Sequence, residues 1–298
     1  MPYGELAALG TALCWSLTAV FFAAAGARVG SLSVNLIRLV MAFVMVSLYQ
    51  AVARGMALPL DASPYAWTWL SVSGLIGFCV GDLCLFRALL VIGPRLSSLL
   101  LSLAPVLTGI FGWLVLDERL TAIELLGMGL TVGGIAWAIS DRTPAKPGQE
   151  RTRRTLATGV LLGLGGAAGQ AGGLVLSKLG MGEYDPFAAT QVRIIAGIVG
   201  FSVIFVLAGW WPRTLAALRH GTAMLYTAAG ALFGPFLGVS LSLIAVQRTV
   251  AGVAASLMAT SPILVIPIVV LTRGEKVGVG GVGGAVLAVA GVALLVLR

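Results

Sequence analysis

A chain of 298 residues with 59% hydrophobic residues, 10% charged residues and a mean hydropathy of +1.03 falls far short of the roughly 25% charge content of soluble domains. That composition excludes a water-soluble globular fold and assigns the chain to lipid. The net charge of +8 does not indicate nucleic acid, because Lys and Arg stand singly at the ends of apolar runs, where membrane orientation accounts for them.

A helix needs about 20 apolar residues to cross a hydrocarbon core of about 30 Å. Ten such runs succeed one another, roughly 3–26, 33–53, 66–89, 94–116, 121–139, 156–178, 187–209, 222–245, 250–271 and 277–297. Unpaired backbone groups are too costly in lipid for anything but helices or closed barrels, and the runs lack period-two alternation, so the predicted elements are helices. The first run carries Glu5 where a cleaved signal would carry a basic segment, and it reads as a working span despite its Ala23-x-Ala25 spacing. Gly93-Pro94 separates the third span from the fourth, and Asp185-Pro186 opens the seventh with Asp185 as its expected N-cap. Gly129-x-x-x-Gly133 in span five and Gly280-x-x-x-Gly284 in span ten offer flat faces for close helix approach, read as scaffold contacts ahead of dimer contacts. Between spans five and six, residues 140–155 hold Arg142, Lys146, Arg151, Arg153 and Arg154 with Pro144, Pro147 and Gly148, a basic linker with a cytoplasmic preference. The basic residues counted over all loops favour both termini outside, mainly because of that linker.

The halves repeat. Laying residue i over i+155 pairs Gly10 with Gly165, Ala12 with Ala167 and Arg38 with Arg193. At i+157, Gly77 meets Gly234, Gly81 meets Gly238, Pro105 meets Pro262, Glu118 meets Glu275, Gly127 meets Gly284 and Gly134 meets Gly291. Residues 1–139 and 156–298 are therefore two five-span repeats, and an odd span number forces them to face opposite ways. Inverted repeats of this kind build secondary transporters, with the substrate site near the bilayer midplane where the repeats meet.

Charges inside spans are costly and are functional candidates. Arg38 and Arg193 recur at one repeat position; each either snorkels to the interface or meets a carboxylate of substrate or gate. Three readings stand for Asp82: a protonation switch, a partner of Arg38, or a helix-end residue. Its repeat mate is Val239. Trp15, Ser16, Phe78, Ser98, Ser102, Gln170 and Gln191 complete the candidate cavity lining, and Trp15 and Gln170 are repeat mates. The serines equally suit bonds to their own backbone, and Trp15 equally suits packing. Pro105 and Pro262 kink their spans at equivalent places, as plain bends or as hinges of a rocking cavity.

Other patterns carry no chemistry. Gly163-x-Gly165-x-x-Ala168 with Glu183 mimics a dinucleotide fingerprint but lies inside a span with no strand before it. His220 is the sole histidine, no metal-ligand spacing occurs, and Cys14, Cys79 and Cys84 fall within spans as small apolar residues.

Ala88-Leu89 followed by Pro94 to Pro105, then Leu116-Asp117-Glu118-Arg119-Leu120 and a glycine-rich span, resembles the drug/metabolite transporter superfamily, in particular its ten-helix EamA-type exporters, and is similar to YddG-type amino acid exporters. Ala245, Thr260-Ser261-Pro262 and Gly274-Glu275-Lys276 repeat the pattern. The resemblance implies an all-α integral membrane protein of ten helices around a central cavity, in a bacterial inner membrane, exporting amino acids and related metabolites by alternating access. No enzymatic activity, cofactor, metal or nucleic-acid partner is expected, a monomer is expected ahead of a dimer, and Asp82 leaves proton-coupled and downhill export both open. Alternatives are a multidrug, nucleotide-sugar or phosphorylated-metabolite exchanger of the same superfamily, or a membrane-embedded enzyme.

Overall fold

The computed structural model describes residues 3–140, 153–261, 263–264 and 279–297, and every regular element among them is helical. Among these residues, nine helices are long and apolar enough to cross a membrane: α1 (Tyr3–Val29), α2 (Ser31–Arg54), α3 (Pro64–Gly93), α4 (Leu96–Leu116), α5 (Ala122–Ser140), α6 (Thr155–Met181), α7 (Pro186–Ala208), α8 (Gly221–Arg248) and α10 (Val279–Leu297). Between α8 and α10 lies α9, described from Ala251–Met258 onward. A short helix, Trp211–Ala217, joins α7 to α8 and has no counterpart among the sequence expectations.

Local chemistry sets the ends. The Ser63 hydroxyl accepts from Ala66 N with Pro64 in the first turn of α3, and Asp185 Oδ1 accepts from Ala188 N with Pro186 in the first turn of α7. Both arrangements satisfy amide groups that a helix start leaves without partners. Gly93 breaks the chain between α3 and α4 with φ 79°, a conformation costly for residues with a Cβ.

Packing obeys the repeat. α1 lies against α8 as α6 lies against α3, α2 packs on α7, and α5 packs on α10. Five spans are described in the first half, and an odd number makes the second half thread the membrane in the opposite sense. Two π-helical segments, Leu75–Gly81 in α3 and Leu232–Gly238 in α8, fall at the same i+157 register as the paired glycines. A π turn adds a residue to the helical ladder and so rotates the next turn to a new direction. Asp82 and Val239 are the first residues beyond the two segments.

Glycines at this register allow backbone contact. A Cβ on Gly169 of α6 would come within 2.6 Å of Gly81 Cα. The close contact of α5 on α10 uses Gly127 and Gly134 against Gly284 and Gly291. This corrects one expectation: a Cβ at Gly129 or Gly133 meets nothing within 4 Å, so that GxxxG face points away from α10. GxxxG spacing identifies a flat helix face but does not say which neighbour, if any, covers it.

The α4 span is interrupted at Ser102 and Leu103, where Leu103 N bonds to Leu100 O instead of a residue four back, and Pro105 stands in the first turn of the next helical piece. The α9 span breaks likewise at Ala259 and Thr260, with Thr260 N bonded to Leu257 O. Pro262 itself, Glu275 and most of the 140–155 linker lie outside the described residues.

Candidate functional site

The π segment of α3 delivers Asp82 to a buried position where it forms an ion pair with Arg38 of α2. Gln170 of α6 donates from Nε2 to the other oxygen, Oδ1, at 3.2 Å. Three helices from both repeats thus converge on one carboxylate, which accounts for its charge inside a span. Of the three readings of Asp82, the geometry matches a partner of Arg38. The Arg38 guanidinium carbon also sits 5.2 Å from the centre of the Phe22 ring, a contact that no spacing along the chain announces.

Arg193 is the counterpart of Arg38 and is placed differently. Its guanidinium carbon lies 5.0 Å from the Phe78 ring centre, the residue is 5% exposed, and Nε is enclosed without a hydrogen-bond partner. Arg193 therefore does not snorkel. No carboxylate among the described residues pairs with it, because the position equivalent to Asp82 in the second repeat is Val239. The guanidinium lies against Gly77, where a Cβ would stand in ordinary contact at 3.4 Å from Arg193 Nη2.

The remaining candidates separate into two groups. Trp15 lies against the second π segment, where a Cβ on Gly238 would meet the indole ring at 2.8 Å, as its repeat mate Gln170 lies against the first. Phe78 and Val239 share one apolar cluster with Leu39 and Phe201. By contrast, Ser16 donates to Ala12 O and Ser261 O, tying α1 to the break in α9. Ser102 donates to Leu99 O at 2.7 Å and Ser98 O accepts Ser102 N, so both belong to the irregular turn of α4. Gln191 donates to Ser47 Oγ and Ala57 O, fastening α7 to the end of α2.

Among the described residues the two ends of the bundle differ. At the end holding the start of α1, an apolar cluster draws Ala8, Leu70, Met181, Val192, Leu243 and Leu257 from both repeats. Lys178 near the end of α6 pairs with Glu118 and donates to Thr249 O at 2.7 Å, while Glu118 accepts Ala251 N at the start of α9. Gln247 donates to Gly182 O and Tyr184 O. These bonds close α6 onto the α8–α9 turn. At the opposite end the repeat mates of Lys178 and Gln247 are Ala23 and Leu90, which cannot make such bonds, and Leu90 is 85% exposed. No packing of α1 on α3 or α4 comparable to that of α6 on α8 and α9 exists among the described residues. Sequence reasoning missed this closure; a lone lysine close to the end of an apolar span was its only visible sign.

Residues 2–140 and 157–297 each match the EamA-like transporter family, and the chain belongs to that family. It is a multi-pass membrane protein of a transporter family. One solved crystal structure of a protein resembles it with a TM-score of 0.76 over 98% of this chain and 95% of that chain, at 18% identity, which is a likeness of fold alone. No curated protein matches the chain.

Proposed function

We propose that this protein exports amino acids and related small metabolites across a bacterial inner membrane by alternating access, in the manner of a YddG-type exporter, without an enzymatic step. The repeats 1–139 and 156–298 would rock with Pro105 and Pro262 as hinges, joined by residues 140–155. The observation that carries this reading is the Arg38–Asp82–Gln170 cluster, with Arg193 buried against Phe78 on the same stretch of α3, polar groups drawn from both repeats inside the spans. Inverted-repeat carriers place their substrate at such a junction. The closure of α6 onto the α8–α9 turn, where residues of both repeats meet, supports a carrier whose ends seal in alternation.

A cationic multidrug substrate fits poorly, because two arginines and one aspartate leave a surplus positive charge at the centre. A phosphorylated metabolite calls for several cations, and here one of the two is already neutralised by Asp82. Amino acid uptake into proteoliposomes, competed in turn by sugars, sugar phosphates and cationic drugs, tests the reading. Saturable uptake inhibited only by other amino acids is expected; no uptake of any amino acid, or equal inhibition by sugar phosphates, would overturn it.

A further inference from the structure

Among the described residues, the second repeat presents an arginine without the carboxylate that its twin possesses. Arg38 has Asp82; Arg193, at the equivalent place, has Val239 at the Asp82 position and rests instead on Phe78. Nε is enclosed and unbonded in both arginines, so what sets Arg193 apart is a buried guanidinium with no carboxylate among the described residues, which is expensive in a low-dielectric interior unless an anion answers it. Replacing it with an apolar residue would remove that cost. An arginine there is therefore explained by an anion that comes and goes.

We infer that Arg193 is the carboxylate receptor of the transport site, and that the substrate is a small monocarboxylate or zwitterion whose carboxylate takes, against Arg193, the place Asp82 takes against Arg38. The inference rests on the transporter reading above and narrows its substrate class. Charge supports it: Arg38 and Asp82 cancel, so among the described residues Arg193 sets the sign of this buried region, attracting a single carboxylate and repelling a cation. Shape supports it too. A guanidinium presents two parallel N–H donors to a carboxylate, and Phe78 at 5.0 Å holds its plane from one side as aromatic faces hold cations.

The test uses the full chain purified in detergent and in proteoliposomes, with leucine, isocaproate (leucine without its amine), leucinamide and isoamylamine (leucine without its carboxylate) as probes. In the wild-type protein, leucine and isocaproate should raise the melting temperature, and leucinamide and isoamylamine should bind at least about tenfold more weakly. Arg193→Gln should abolish that preference, and Arg193→Lys should keep part of it. Arg193→Gln should also melt higher than wild type without ligand, where a purely structural arginine would make it melt lower. An unchanged carboxylate preference in Arg193→Gln, or no stabilisation of wild type by either carboxylate, would overturn the inference. Should no amino acid be transported while isocaproate still stabilises wild type but not Arg193→Gln, the export reading fails and the carboxylate site stands.

Discussion

Asp82 is held between Arg38 of the same repeat and Gln170 of the other, one carboxylate oxygen to each. Removing one member of a buried ion pair leaves the other uncompensated, which destabilises by about 3–5 kcal/mol. Asp82→Leu should therefore lower the melting temperature sharply, and Arg38→Met in the same chain should restore most of the loss. Equal melting of the single and double variants would show that the pair does not hold the centre together. If Asp82 also carries the transported proton, Asp82→Asn with its fold intact will flatten the pH profile of uptake into vesicles, and an unaltered profile would assign it a structural part only.

Glycines of the α5–α10 contact should be intolerant in a pattern that GxxxG spacing does not foresee. Gly134→Leu or Gly284→Leu forces a side chain into opposing backbone, and overpacking of this kind costs about 1–3 kcal/mol or more. Gly129→Leu and Gly133→Leu point into open space and should leave thermal unfolding in detergent within about 0.5 kcal/mol of wild type. Similar losses at all four positions would mean that the outward face also has a partner.

Lys178 joins α6 to Glu118 and Thr249 at the closed end. Lys178→Met should loosen that end and shift the population toward opening there. A cysteine placed at Thr249 should then label severalfold faster with a membrane-impermeant thiol reagent than in the Lys178 background. Identical labelling rates would remove Lys178 from the closure.

Outside the spans, Asp61 accepts from the Tyr184 hydroxyl at 2.8 Å and pairs with Arg54, so the loop after α2 is tied to the loop before α7. The Tyr184 hydrogen bond first, then Arg54, lowers the Asp61 carboxyl below its ordinary 3.8. Burial first, with the carboxylate beside it, pushes Tyr184 up to about 12, so it remains a donor through the neutral range. A lowered folded-state value means that the contribution is present above pH 3.8 and fades as pH falls through the lowered value. Asp61→Asn should accordingly melt below wild type at neutral pH, with the gap narrowing as the solution is acidified below the ordinary carboxylate range. A constant gap would assign the effect to something other than ionisation.

The helical nature of the spans, a count close to the nine found among the described residues, and the inverted duplication could be read from residues alone, because lipid admits few structures and because Arg38 with Arg193, and Gly77 with Gly234, keep a fixed register. The same register picked out Gly127, Gly134, Gly284 and Gly291, the glycines that form the α5–α10 contact. Depth within a span and polarity were enough to single out Asp82, Arg193, Gln170, Phe78 and Trp15 as candidates.

The contacts those residues make were settled only in three dimensions. Two π segments redirect Asp82 and Val239; Pro235 marks the second in the sequence, while the first, Leu75–Gly81, has no proline to announce it. Whether an arginine snorkels, pairs or stands alone depends on which helix lies beside it. So does the fate of Gln191, whose amide ties α7 to α2. Hydrophobic length fixes how many times a chain crosses the bilayer; the partners of its few polar groups come from helix packing, which apolar runs of nearly uniform hydropathy do not encode.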